Sequence, residues 1–226
     1  MAGLIAGLVV SVLQSIQVKP LILAAEVYET QARSEQTADK HPSRQERSAE
    51  NGIERVLYTL LANLALGIGY GLLLCSAFTL YNRAIGYKRG LLWGLAGFAA
   101  FSFIPAIGLP PEIPGMVGAE LEVRQSWWLS SAVASCLGLA LIVFAPKVWW
   151  RIVGGMVVLV PFIVGVPHST ATASSNLPPD LVAHYTMATL TTGIVFWGVL
   201  GGVAGYFFER ARHDYANKLD IKSVKS

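Results

Sequence analysis

Charged residues are scarce in this sequence, and their scarcity excludes a sizeable soluble domain. Only 14% of the 226 residues are Asp, Glu, Lys or Arg, while 54% are hydrophobic. Soluble proteins carry roughly 25% charged residues. The few charges are clustered, which leaves several windows of about 20 residues almost free of them, as in polytopic membrane proteins. We therefore predict an all-α fold, a polytopic transmembrane helical bundle.

Cysteine and the common catalytic motifs are also lacking. The two cysteines, Cys75 and Cys136, fall in the middle of apolar runs, and we interpret them as small apolar residues rather than a soft metal site or a disulfide. A Walker motif, a GxSxG elbow, CxxC and HxxxH are all missing, which argues against ATP hydrolysis and nucleophilic catalysis. Basic residues form no stripe with interleaved aromatics, so we expect no nucleic-acid partner.

Six apolar runs are predicted to cross the membrane, although five spans are also compatible with the pattern. No small-residue cleavage site follows the first run, so we interpret it as a retained span. A polar loop, 24–55, follows it, and the bundle, 1–208, ends in a soluble basic tail, 209–226. The predicted spans are about 2–23, 58–81, 91–109, 127–144, 148–166 and 184–208.

The distribution of charge predicts an orientation. With six spans, the side that holds both termini carries ten Lys and Arg and the other side seven. This bias favours two cytoplasmic termini in a cell inner membrane. Carboxylates are distributed more unequally, with eleven on the outer side and three in the tail, and three of the four histidines are also outside. Acidic residues contribute little to topology, so their excess outside needs another explanation.

Two proline-containing turns interrupt the apolar runs, at 105–125 and 164–184. Proline removes backbone donors and restricts φ, so neither turn continues as an ordinary helix. Carboxylates and imidazoles near these turns would concentrate cations, and imidazole suits Co²⁺, Ni²⁺, Cu²⁺ and Zn²⁺. The candidate ligands are Glu26, Glu29, Glu112, Glu120, Glu122, His168 and His184, with Asp180 as a further acid.

Each candidate also has a plainer interpretation. Glu26 and Glu29, with Arg33, fit one solvated face of a helix by their spacing. Glu120 and Glu122 fit a helix N-terminus, where acidic side chains are favourable. His168 and His184 could simply be side chains at the membrane interface. Both sets of interpretations remain open at this point.

The order of these features resembles the CbtA family, the predicted integral-membrane subunit of a bacterial cobalt transporter. The resemblance covers nearly the whole chain and is a pattern of spans and turn residues. It is carried by GLIAGLVVSVLQSIQVKPLILAAEVYE (3–29), GIGYGLLLCSAFTLY (67–81), the turn from Pro105 through Pro110, Pro111 and Pro114 to Arg124 and Gln125, the FIVGVP run with Pro178 and Pro179, and the glycine-rich span around Trp197.

The resemblance implies cobalt uptake linked to cobalamin supply, about five spans, and a small single-span subunit with a histidine-rich end as partner. We therefore expect membrane lipid, that subunit and a divalent metal ion as partners, with cobalt as cargo and no cofactor. Asn63, Glu112 or His168 would then bind the ion transiently as it passes inward. The alternatives are a non-transporting membrane scaffold or assembly subunit, and an intramembrane enzyme.

Overall fold

The computed structural model describes residues 1–36, 47–81, 83–116, 118–168 and 177–224, without the side chains of 29, 31–36, 47–53 and 216–224. The described part is helical and contains no strand. Two helices each contain one π-helical segment, named π1 and π2 here. The elements are α1 (Ala2–Leu13), π1 (Gln14–Val18), α2 (Lys19–Gln36), α3 (Arg47–Tyr81), α4 (Tyr87–Phe98), π2 (Ala99–Phe103), α5 (Ile104–Gly108), α6 (Leu121–Phe144), α7 (Val148–Val164) and α8 (Pro179–Val224).

Five helical stretches within the described residues are long and apolar enough to cross a membrane, which confirms the predicted class. They are Ala2–Tyr28, Glu54–Tyr81, Tyr87–Gly108, Leu121–Phe144 and Pro179–Tyr215, with mean hydropathies of 1.6 to 1.9. Large apolar side chains such as Leu72, Leu80 and Ile163 are exposed, as expected of helices that face lipid. The predicted fifth span is α7, whose 17 residues extend only about 25 Å.

Helix extends into both the predicted polar loop and the predicted soluble tail. In the polar region 24–55, α2 continues to Gln36 and α3 already begins at Arg47. In the tail, α8 continues to Val224. Neither extension contains a proline, and the end of α8 has no glycine after Gly205, so the ordinary signals that stop a helix are missing. The predicted centre of the polar loop, 37–46, lies outside the described residues.

The chain forms two compact units. The first comprises Met1–Val12, Glu46–Leu95 and Ile194–Ser226, and the second comprises Leu13–Gln45 and Ala96–Gly193. Because α1 with π1, α4 with π2, and α8 are continuous across these bounds, each contributes residues to both units.

Glycine contacts hold the helices of the first unit together. A Cβ on Gly3 would overlap the backbone of Gly67, and a Cβ on Gly90 would overlap that of Gly201. α1 therefore packs on α3, and α4 packs on α8, at distances that only glycine permits. An aromatic cluster adds to this packing, because the buried Phe78 ring makes edge contacts with Trp93 and Phe208 at 5.9 and 5.5 Å between ring centroids.

The second unit is organised around the hairpin of α6 and α7. Gly138 and Gly154 make the close helix contact. The buried Trp127 indole N–H donates to the carbonyl oxygen of Pro161 at 3.2 Å, and the indole ring covers Gly108 at the end of α5. α7 ends at Gly165, whose φ of 123° is in the region that glycine adopts readily. Trp127 thus connects α5, α6 and α7.

π1 and π2 have the same relation to proline. The first ends at Val18 with proline at position 20, and the second ends at Phe103 with proline at position 105. Lys19 N–H donates to the Gln14 carbonyl and Ile104 N–H to the Ala99 carbonyl, so each turn is wider by one residue. Within a helix, a proline ring collides with the carbonyl four residues before it. The wider turn gives that ring room and lets both helices continue through proline.

Candidate functional site

Three of the segments that carry candidate ligands meet at one small apolar cluster in the second unit. Its buried members are Ala25 in α2, Ile113 in the turn between α5 and α6, and Leu177 just before α8. We call this group the Ala25 cluster. Leu21, Met116, Leu181, Val182 and Tyr185 pack against it.

Candidate ligands lie beside the members of this cluster in sequence. Glu26 follows Ala25, Glu112 precedes Ile113, and His184 precedes Tyr185. The fold therefore brings together segments that are separated by more than 60 residues along the chain. Hydropathy and spacing alone did not reveal this convergence.

A tight turn shapes the segment around Glu112. The Met116 N–H donates to the Ile113 carbonyl at 3.1 Å, with Pro114 and Gly115 at the two central positions. Gly115 has a φ of 88°. Proline followed by glycine with positive φ is the pattern of a type II turn. The turn directs Ile113 into the Ala25 cluster while Gly115 stays exposed.

Glu112 makes a salt bridge. Its carboxylate lies 2.8 Å from the guanidinium of Arg124, which belongs to the first turn of α6. The two side chains are 22% and 31% exposed. The carboxylate also lies over Gly118, where a Cβ would meet its oxygens at 2.6 Å. This pair ties the proline turn to α6 in a partly desolvated position, and a cation that binds Glu112 must compete with Arg124.

Glu120 and Glu122 lie at the N-terminus of α6. Glu120 is the N-cap residue and makes no side-chain capping bond, and Glu122 lies in the first turn. Both side chains are exposed. Their position has the favourable interaction with the helix dipole expected of acids at a helix start. Within the part of the chain that the structure describes, neither belongs to a group of three potential metal ligands.

His168 and His184 are both exposed, the first in the connection after α7 and the second within α8. His168 follows the end of α7, three residues after Gly165, and His184 lies in the second turn of α8. Asp180 is exposed in the first turn of that helix. Asp180 lies one turn before His184, so the start of α8 carries one potential oxygen ligand and one potential nitrogen ligand.

The acidic pair at the end of the first span is described only in part. Glu26 is half-buried in α2, and its backbone carbonyl accepts the Thr30 hydroxyl at 2.6 Å. The side chains of Glu29 and Arg33 lie outside the described residues. Among the side chains that are described, no three His, Cys, Asp or Glu residues come close enough to hold a metal ion together.

Asn63 belongs to the first unit and has a structural role there. It is buried, and its amide donates to the Ser11 hydroxyl at 3.0 Å. Ser11 in turn donates to the Gly7 carbonyl at 2.8 Å. This chain of hydrogen bonds joins α1 to α3 beside their glycine contact. Cys75 and Cys136 are free and exposed, so they face outward from their helices rather than packing between them.

Three buried hydroxyls in the second unit were not identified from the sequence. Ser131, Ser135 and Thr192 are 1%, 0% and 3% exposed. Among the described residues, their oxygens and the buried oxygen of the half-buried Thr189 have no hydrogen-bond partner. The available signal was the four-residue spacing of the two serines within the same small-residue stripe as Ala132 and Gly138. Arg124 was likewise not foreseen as the partner of Glu112.

Comparison with known proteins relates the chain to membrane transport. A segment of 129 residues, 56% of the chain, is 33% identical to the protein described as a multi-drug resistance efflux pump PmrA homolog of Lactococcus lactis subsp. lactis (strain IL1403). The match spans 30% of that protein's length. No solved structure matches the chain significantly. The model of the CbtA family, described as a probable cobalt transporter subunit, matches residues 1–209, and the chain therefore belongs to the CbtA family.

Proposed function

We propose that this protein is the membrane subunit through which a divalent metal, Co²⁺, enters the cell, in support of cobalamin supply. The observation that carries the proposal is the family match over residues 1–209. The convergence of the Glu26, Glu112 and His184 segments at the Ala25 cluster supports it, because carboxylate and imidazole are suitable groups for a divalent first-row metal.

The proposed ligands form a dispersed collecting surface rather than a closed resident site. The exposed carboxylates of Glu120 and Glu122 attract the cation electrostatically, and the exposed His168 and His184 offer it imidazole nitrogens. Glu112 is the proposed point of entry, because its carboxylate is partly desolvated and is held beside the proline turn. The cation then exchanges with Arg124 for that carboxylate. Glu26 and Glu29 belong to the same proposed surface.

The proposed setting is the cell inner membrane with both termini in the cytoplasm. This orientation requires α7 as well as α6 to cross the membrane. The 17 residues of α7 are at the lower limit of about 17 residues for a membrane span. The proposed partner is a small single-span subunit with a histidine-rich end. A family described as a subunit works with at least one companion, and we assign no catalytic step to this chain.

Uptake of labelled Co²⁺ by cells that lack other cobalt importers tests the proposal. The chain should be expressed with and without a histidine-rich single-span subunit, next to an empty vector. We expect uptake above vector, reduced about tenfold in Glu112→Gln because the substitution removes a ligand charge without changing its size. Glu209→Gln is the matched control, since it lies in the proposed cytoplasmic tail.

The outcomes separate the alternatives. Uptake that Glu112→Gln does not change would support the transport function but exclude Glu112 as a ligand on the ion path. No uptake from well-expressed protein with its partner would favour a scaffold or assembly subunit, and a released product would favour an intramembrane enzyme. Lower cobalt retention than in vector cells would indicate export, a second candidate favoured by the efflux pump relative.

A further inference from the structure

The connection between α3 and α4 is packed against α8. Ile85 in this connection is buried, and a Cβ on Gly86 would lie 2.6 Å from a carboxylate oxygen of Glu209. The ring of Tyr87, the first residue of α4, covers Gly202 of α8. One apolar stretch ends at the start of this connection and the next begins at its end. α3, α4 and α8 therefore come together at one membrane boundary of the first unit.

Positive charge is in excess at this boundary. Glu209 and Asp214 are the acids described there, and the exposed His213 lies between them in sequence. Two negative charges thus accompany five exposed cations, which we call the basic surface. Its members are Arg83, Lys88, Arg89, Arg210 and Arg212. A cluster of this size directly beside membrane helices is typical of segments that attract anionic lipids.

The cations of the connection and of the start of α4 are not neutralised by acids. Within the described part of the chain, Arg83, Lys88 and Arg89 form no ion pair. The Arg83 guanidinium lies 5.7 Å from the centroid of the Tyr81 ring. The Arg89 guanidinium donates to the Ala84 carbonyl at 2.6 Å. Because a guanidinium has five N–H donors, both groups are held in place and keep donors for an anionic ligand.

Exposed apolar side chains continue the basic surface towards the membrane. Lys88, Leu92 and Leu95 follow the spacing of four and three residues that places them on one face of α4. The two leucines are 65% and 38% exposed. Tyr87 and Tyr206 are also exposed at this boundary, where amphipathic rings are favourable. A cationic group followed by an apolar face matches the order of phosphate and acyl chain in a phospholipid.

We propose that the basic surface binds the phosphate of an anionic phospholipid, whose acyl chain lies along Leu92 and Leu95. Guanidinium and ammonium groups bind phosphate oxygens through charge-assisted hydrogen bonds. The excess of positive charge favours a lipid with a net negative headgroup over a zwitterionic one. This inference does not depend on cobalt transport. In the proposed orientation the bound lipid belongs to the cytoplasmic leaflet.

Native mass spectrometry of the whole chain in detergent tests this proposal. The protein is titrated with phosphatidylglycerol and, separately, with phosphatidylcholine, which both carry a phosphate but differ in net charge. We expect at least about tenfold tighter binding of phosphatidylglycerol, because each basic residue near an anionic lipid contributes about fivefold. The triple variant Arg83→Gln, Lys88→Gln, Arg89→Gln should lose this preference. The matched control is Lys147→Gln with Arg151→Gln, two exposed cations at the start of α7, which should keep it.

Three results would overturn the proposal. The first is equal binding of the two lipids by the unaltered chain. The second is an equal loss of preference in the triple variant and in the control, which would show that any cation at a membrane boundary has the same effect. The third is displacement of phosphatidylglycerol by inorganic phosphate at the same concentration, which would indicate a site for a free anion. We expect no displacement, because inorganic phosphate lacks the acyl chain.

A stability measurement separates lipid binding from folding. In phosphatidylcholine the triple variant and the unaltered chain should unfold at the same temperature, because the three replaced side chains are exposed. If the triple variant unfolds earlier, Lys88→Gln alone decides the test. No hydrogen bond or ion pair of the Lys88 side chain occurs among the described residues, so its loss should leave the fold intact. The preference for phosphatidylglycerol should then fall about fivefold, and an unchanged preference would reject the lipid site.

Discussion

The two units differ in their content of proline and glycine. All eleven prolines lie in the sequence ranges of the second unit, whereas thirteen of the 22 glycines lie in those of the shorter first unit. Glycine allows helix backbones to approach closely, and proline interrupts the regular hydrogen bonding of a helix. The first unit is therefore built for close packing and the second for irregular backbone.

Polar groups follow the same division. In the first unit the buried Asn63 is hydrogen-bonded to Ser11. In the second unit are the salt bridge between Glu112 and Arg124 and the unpartnered oxygens of Ser131, Ser135 and Thr192. Irregular backbone and unsatisfied polar groups at membrane depth are tolerated where protein or a water-lined cavity surrounds them. We therefore assign the proposed ion path to the second unit, which contains the irregular backbone and the unpartnered polar groups.

The largest expected effect is a break in the glycine packing of the first unit. Gly67→Ala places a Cβ in the backbone of Gly3, and overpacking of this kind costs about 1–3 kcal/mol. Gly69→Ala is the matched control two residues away, because nothing lies within 4 Å of its Cβ position. Thermal unfolding in detergent should show a clear loss for the first variant and almost none for the second. Equal stability of both variants would contradict the proposed packing role.

A smaller effect is expected at the polar link of the same unit. Asn63→Leu removes the interhelical bond to Ser11, and such bonds in membranes are worth about 0.6 kcal/mol on average, with a maximum near 1.7. Unfolding should occur at a slightly lower temperature while Co²⁺ uptake per folded molecule stays unchanged. Lost uptake in a variant of normal stability would instead give Asn63 the handover role considered from the sequence.

The smallest effect on stability is expected at the salt bridge of the second unit. Arg124→Gln breaks the bond to Glu112, and because both side chains keep some contact with solvent we expect the pair to contribute no more than about 1 kcal/mol. A double-mutant cycle with Glu112→Gln measures the coupling. We also expect tighter apparent Co²⁺ affinity in Arg124→Gln, because the cation no longer competes with the guanidinium. Weaker Co²⁺ affinity would instead show that the salt bridge is needed to hold the proline turn in position.

Sequence patterns predicted much of the fold from local features. Apolar runs around Ala2–Tyr28 and Leu121–Phe144 are long enough to indicate membrane helices. The seven candidate ligands were chosen by residue type and loop position. That choice could not tell that Glu112 pairs with Arg124, whereas the plainer interpretation of Glu120 and Glu122 as residues of a helix N-terminus is confirmed.

By itself the sequence determined the membrane class and the helices, because hydrophobic length and the scarcity of charge act locally along the chain. Only the tertiary structure decided which segments meet. The Ala25 cluster joins α2, the proline turn and the start of α8, and Asn63 donates to Ser11, which lies 52 residues away in the sequence. The burial of Ser131, Ser135 and Thr192 depends on packing between helices. The residues next to them in the sequence do not determine that packing.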